Sequence, residues 1–127
     1  LEERVDVLLF LHADCLPRLG ALRSLRRAFR GDGTARPGNA RVDAAAMRQV
    51  IDGEGRIFRW IERAANARAR RGMVYGDSGL AVRADTYRGV GGFRAVPLFE
   101  DVDLSKRLRR QTEIHVVEDA VLSVSAR

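Results

Sequence analysis

The first group of residues that could do chemistry is His12-Ala13-Asp14, which follows an almost continuous apolar run over 5–11. Such a run predicts a strand buried on both faces of an α/β sheet. Residues just past the strand can turn into a cleft at the carboxyl edge of the sheet, where α/β proteins bind ligands. Asp14 could there hold a divalent cation, and the cation a diphosphate. The alternative is an ordinary capping Asp between a strand and a helix.

The second group is the carboxylate pair Glu100-Asp101, which follows Pro97 at the expected start of a helix. The helix dipole favours an ionised carboxylate there. One member of the pair could act as general base towards a hydroxyl group within hydrogen-bond reach. The alternative is the enrichment of acidic residues that ordinary first helical turns show.

The third group is the turn Gly76-Asp77-Ser78-Gly79. Its glycines permit a close backbone approach to a ligand, and its two polar side chains offer hydrogen bonds. It lacks the GK[ST] ending of a phosphate-binding loop. The alternative is a plain turn without a ligand.

These groups lie between elements that hydrophobic periodicity predicts. The predicted strands cover 5–11, 43–51, 80–82, 114–117 and 121–124, and the predicted helices cover 17–30, 55–69, 84–90 and about 100–110. The polar segment over 31–41 is predicted to be a loop. The order predicts one α/β domain over 1–127, with a mixed sheet flanked by helices but without the usual opening β-α-β unit.

Further expectations concern single side chains. In the second helix an apolar face should turn to the core, formed by Ile57, Phe58, Ile61, Ala64 and Ala65. Trp60 and Tyr87 are expected in the core, and His115 is expected to be structural. Three aspartates are interpreted as helix caps or solvated surface: Asp85, Asp103 and Asp119.

Composition limits the function classes. The 127 residues carry a net charge of +6, almost entirely from arginine, since Lys106 is the only lysine. This charge suits nucleic acid, anionic lipid or a phosphorylated substrate. Dedicated nucleic-acid binding is disfavoured, because no aromatic-interleaved basic run or zinc-finger spacing occurs. Cys15 is the single cysteine, so no internal disulfide can form and a cytoplasmic, reducing location is expected.

Taken in order, the motifs resemble a known family. The segments LLFLHADCLP, YGDSGLAVRADTYRGVGGF, PLFEDVDLSKRLRR and the terminal SVSAR are similar to family 2 glycosyltransferases of the GT-A fold. They are similar in particular to the bacterial subgroup described as selenodomain-associated transferases. The resemblance runs from Val7 to Arg127 and is weakest over 31–51.

The resemblance implies roles for the motif residues. Asp14 would hold Mn²⁺ or Mg²⁺ and through it the donor diphosphate, with His12 as a helper. Asp101 would be the catalytic base of an inverting transfer, with Glu100 shaping the acceptor pocket. The donor and acceptor cleft would be lined by Gly76, Asp77, Ser78 and Gly79, and the phosphates approached by Ser125 and Arg127. The partners would be a nucleotide-sugar donor and an acceptor.

Three departures from the family pattern keep alternatives open. The opening half that binds the nucleoside has no counterpart here, Ala44–Arg48 replaces Gly-Gly-Ala-Phe-Arg, and Ser78 replaces a usual Gln. A truncated, inactive remnant of such a transferase is therefore the main alternative. A nucleotidyltransferase and a basic nucleic-acid-binding module are weaker ones. We also expect an exposed sheet edge that favours self-association, and peripheral contact with an inner membrane through the arginine-rich surface.

Overall fold

The computed structural model describes residues 6–30, 41–74, 78–94 and 100–125. In chain order the elements are β1 (Val7–Phe10), β2 (Cys15–Pro17), α1 (Ala21–Arg30), β3 (Ala44–Asp52), α2 (Arg56–Arg70), β4 (Leu80–Arg83), α3 (Ala84–Gly89), α4 (Glu100–Arg109) and β5 (Ile114–Ser125). The strands form a mixed sheet with the order β1-β4-β3-β5-β2. Strands β3 and β5 are parallel, and the other neighbours are antiparallel. The predicted α/β class with a mixed sheet is confirmed.

The sheet must curl, because its two edge strands are neighbours in sequence. Four residues, 11–14, separate the end of β1 from the start of β2, yet the two strands lie at opposite edges. Four strand spacings in a flat sheet amount to about 19 Å. The five Cα steps from Phe10 to Cys15 reach at most about 18 Å. The segment 11–14 therefore crosses the end of a curled sheet.

The core lies on both faces of β3, whose residues Ala44–Met47 are fully buried. On one face α1 inserts Leu25, Ala28 and Phe29 against Met47 and the β5 side chains. On the other face α4 packs Leu104 and Leu108 against Ala44, Ala46 and Val74. Small alanines in β3 suit this position, since both faces of the strand are covered by packed side chains.

The edge of β3 is completed in two different ways. Its first residues, Ala44–Ala46, pair with β4. Further along, polar side chains of α2 take over the backbone groups of alternate residues. Asn66 Nδ2 donates to Gln49 O at 2.9 Å, and Gln49 N donates to Asn66 Oδ1 at 2.8 Å. Ile51 N donates to Glu62 Oε1, and Arg59 Nη2 donates to Ile51 O at 2.7 Å. Alternate strand residues present their backbone to the same edge, so one helix face can replace a neighbouring strand.

Two element boundaries differ from the prediction. Helix α1 begins at Ala21, and Pro17, predicted as its start, ends the edge strand β2, which pairs with 122–124. Pro is tolerated at an edge because a missing N–H breaks no ladder bond there. The predicted strands 114–117 and 121–124 are one strand, β5. Its register against β3 shifts between Met47 and Arg48, where 118–120 bulge out.

The predicted apolar face of α2 is also partly wrong. Ala65 is buried and Phe58 half-buried, whereas Ile57, Ile61 and Ala64 are exposed. Trp60, predicted in the core, keeps 65% of its surface exposed. The reason is that the inner face of α2 carries the polar side chains that bond β3, which turns the apolar stripe outwards.

The predicted core position of Tyr87 is confirmed in part. Tyr87 is half-buried and packs against Phe10 with the rings tilted and their centroids 5.4 Å apart. The predicted loop 31–41 lies outside the described residues except for Arg41. None of the helices in the described ranges is long and apolar enough to cross a membrane.

Candidate functional site

The crossing segment 11–14 passes close to Gly79. Gly79 has φ +64°, and a Cβ built there would lie 3.2 Å from Leu11 Cδ2 and 3.3 Å from Leu122 Cδ2. Glycine at 79 therefore allows Leu11 to pass over the start of β4. A backbone hydrogen bond from Cys15 N to His12 O, 3.1 Å long, closes the turn that follows. This turn presents His12 and Asp14 at the surface.

The structure brings two of the predicted site residues together across 89 residues of sequence. His12 Nε2 lies 3.9 Å from Asp101 Oδ2. His12 stands on the crossing segment, and Asp101 on the first turn of α4. Asp101 Oδ1 also accepts a hydrogen bond from the N–H of Val102, 2.9 Å long. The side chains are 53% and 24% exposed, so both reach the solvent.

Asp14 lies at the end of β5. Its carbonyl oxygen accepts a hydrogen bond from Ser125 N at 3.2 Å, and its exposed carboxylate receives the Cys15 thiol at 3.6 Å. Ser125, which the resemblance places towards the phosphates, is thus next to the predicted metal ligand. Arg127 lies outside the described residues.

The central turn is described only in part. Ser78 is buried, with 2% of its surface exposed, and Gly79 packs beneath Leu11 as described above. Gly76 and Asp77 lie outside the described residues, as does the side chain of Glu100. The substrate-binding roles of the turn and the pocket role of Glu100 stay predictions.

An ion-pair cluster beside the site was not predicted. Asp103, interpreted as a cap or solvated residue, pairs bidentately with Arg94 and also accepts from Arg107 Nη2 at 2.8 Å. Arg107 further donates to Val90 O at 2.5 Å. The cluster fixes the first turns of α4, which carry Asp101, against the end of α3. The i,i+4 spacing of Asp103 and Arg107 was the available signal.

The cluster also perturbs the acidity of Asp103. The hydrogen bond from Arg94 is the largest cause that lowers the pKa of this carboxyl, to about 2, and Arg107 adds to it. Asp103 therefore stays ionised well below the pH at which a free aspartate is protonated.

The side chains around His12 and Asp101 include ligand types that a divalent cation uses, but too few of them lie together. The crossing segment and α4 offer two exposed or half-exposed carboxylates, which suit Mn²⁺ or Mg²⁺ with retained water, and one imidazole beside them. Within the described ranges, however, no three His, Cys, Asp or Glu side chains lie close enough together to hold a metal. The chemistry that the described geometry offers directly is that of a partly exposed carboxylate, Asp101, beside an imidazole.

Comparisons with known proteins give no further assignment. No family model matches the chain, and no curated protein matches its sequence. The motifs and the geometry around His12 and Asp101 are therefore what a functional proposal rests on.

Proposed function

We propose that this chain is a glycosyltransferase domain with a GT-A-like sheet, which transfers a sugar from a nucleotide-diphosphate donor to an acceptor hydroxyl with inversion. The observation that carries the proposal is the approach of His12 to Asp101, 3.9 Å apart. Two motifs that resemble one family site thus meet at one surface. The mixed sheet with flanking helices is compatible with this proposal.

Asp101 acts as the general base in this proposal. Its carboxylate takes the proton of the acceptor hydroxyl, and the acceptor oxygen attacks the anomeric carbon from the face opposite the diphosphate. The bond between that carbon and the diphosphate oxygen breaks as the new glycosidic bond forms. His12 lies beside the carboxylate, and the Asp103 cluster holds the helix that carries it.

Asp14 is the proposed ligand of Mn²⁺ or Mg²⁺, with His12 as a helper. When bound, the cation supplies positive charge that stabilises the departing diphosphate. The exposed Asp14 carboxylate and its position next to Ser125 support this role.

The direct test is nucleotide-sugar hydrolysis or transfer with Mn²⁺ or Mg²⁺, comparing the parent with Asp101→Asn and Asp14→Ala. We expect Asp101→Asn to lower the rate by roughly 10²–10⁴-fold, the usual contribution of a general base. Asp14→Ala should raise the metal concentration needed for half-maximal rate. Asp119→Asn, a change at an exposed aspartate in the β5 bulge, is the matched control.

Full activity in both site variants would remove the proposed mechanism. Calorimetry with uridine and guanosine diphosphate sugars in the presence of metal separates an enzyme from an inactive remnant. A parent chain that neither binds nor turns over any of these donors contradicts the proposal.

A further inference from the structure

The outer face of α2 is an apolar stripe that does not pack against the protein core. Five side chains at helical spacing share this face and are exposed: Ile57, Trp60, Ile61, Ala64 and Ala67. Ile57 and Trp60 keep 61% and 65% of their surfaces in solvent. Large aliphatic and aromatic side chains grouped in this way on a solvent face mark an interaction site rather than a scattered exposure.

The helix cannot rotate to bury this stripe. On its inner face Asn66 exchanges two hydrogen bonds with the Gln49 backbone, and Ala65 and Ala69 are buried. Glu62 and Arg59 extend the same row of bonds to Ile51. Turning the apolar stripe inwards would break all of these contacts, so its outward orientation is built into the fold.

The stripe is bordered by positive charge. Arg56 and Arg63 are exposed, lie two helical turns apart along one edge of the stripe, and form no ion pair with any described residue. The acidic residue of the helix, Glu62, faces the sheet instead. The outer face of α2 therefore has an apolar centre, a cationic margin and no negative charge.

We propose that the outer face of α2 docks on the surface of an anionic lipid bilayer, with Trp60 and the two isoleucines in the headgroup region. Amphipathic helices that lie in a membrane interface have this composition, with aromatic and aliphatic side chains on one face and arginine beside them. Phosphate headgroups would neutralise Arg56 and Arg63, and the net charge of +6 adds attraction. At 15 residues α2 would lie along the surface, since a spanning helix needs about 20.

The same charges disfavour a second copy of this chain as the occupant. Two copies that met through this face would bring their Arg56 and Arg63 margins together without an acidic partner on the outer face. The membrane proposal does not rest on the proposed enzymatic function, since none of its residues belongs to the candidate site.

The single tryptophan makes the test direct, because all tryptophan fluorescence comes from Trp60. The full chain is mixed with vesicles of phosphatidylcholine alone or of an equimolar mixture with phosphatidylglycerol. We expect the emission to shift to shorter wavelength and brominated lipids to quench it only with the anionic vesicles. Added salt should weaken the binding.

Three double variants identify the surface. Ile57→Ser with Ile61→Ser should lower the vesicle partition coefficient at least about tenfold, since apolar burial is lost. Arg56→Gln with Arg63→Gln should lower it roughly 25-fold on anionic vesicles, at about fivefold for each arginine. The matched control, Leu16→Ser with Leu19→Ser, alters exposed leucines outside α2 and should bind like the parent.

Circular dichroism checks that each variant keeps its fold. An unchanged emission with anionic vesicles would overturn the proposal, and so would equal binding of the α2 variants and the control. Concentration-dependent self-association that the isoleucine variant abolishes, without any vesicle binding, would assign the face to a second copy instead.

Discussion

Helices α1 and α2 contact the same sheet with opposite kinds of side chain. Helix α1 turns its apolar face inwards, with Leu25, Ala28 and Phe29 buried against the sheet face. Helix α2 turns Arg59, Glu62 and Asn66 inwards and leaves an apolar stripe that includes Trp60 in solvent. Both helices are amphipathic by sequence, so the periodicity predicts each helix but not which face is buried.

The difference follows from what each helix meets. Helix α1 lies on a sheet face, where side chains of the strands present an apolar surface. Helix α2 contacts the edge of β3 beyond the part that pairs with β4. The groups it meets there are the backbone N–H and C=O groups of β3. Buried backbone groups must be hydrogen-bonded, so a polar helix face is the stable solution there. An amphipathic helix therefore buries its apolar face when it packs on a sheet face, and its polar face when it bonds the edge of a strand.

The largest expected effect tests the apolar half of this comparison. Phe29→Ala should lower the free energy of unfolding by roughly 3–5 kcal/mol, since it opens a cavity under α1. Its aromatic counterpart on α2, Trp60→Ala, should change stability by less than about 0.5 kcal/mol, because Trp60 is exposed. Urea unfolding followed by circular dichroism measures both. Similar losses of unfolding free energy in the two variants would show that Trp60 is packed against the rest of the protein.

A smaller effect tests the polar half. Asn66→Ala should cost about 2–3 kcal/mol, since it leaves the Gln49 N–H and C=O without their partner at a buried position. Arg63→Ala, at an exposed site on the same helix, serves as the control and should have little effect. If the two variants unfold alike, water has replaced the amide and α2 does not complete the edge of β3.

The smallest effect concerns a polar contact at the surface. The pKa of Asp103 is about 2, below its unfolded value of 3.8. Its ion pairs therefore contribute their full stability above pH 3.8, and this contribution disappears as the pH falls towards 2. Asp103→Asn should destabilise the protein less than Asn66→Ala does, because the arginine partner Arg94 is largely exposed.

Unfolding of the parent and Asp103→Asn across this pH range provides the measurement. The stability difference between them should be largest at neutral pH, shrink with added salt and vanish in acid. A difference that does not change with pH would mean that Asp103 acts through packing rather than charge.

The candidate site shows the same division between local and long-range information. The motif types and their positions at the end of β1 and the start of α4 follow from local pattern. The approach of His12 to Asp101 and the Asp103 cluster depend on residues from separate elements that no single window contains.

The sequence alone determined where most helices and strands lie and that they form a mixed sheet, because hydrophobic periodicity and turn residues act over short stretches. It did not determine that Pro17 belongs to an edge strand, that 114–125 is one bulged strand, or that Trp60 faces outwards. Those outcomes depend on which backbone edge or face each element meets. Only the tertiary structure decides this, since pairing and burial are set by residues far apart in the chain.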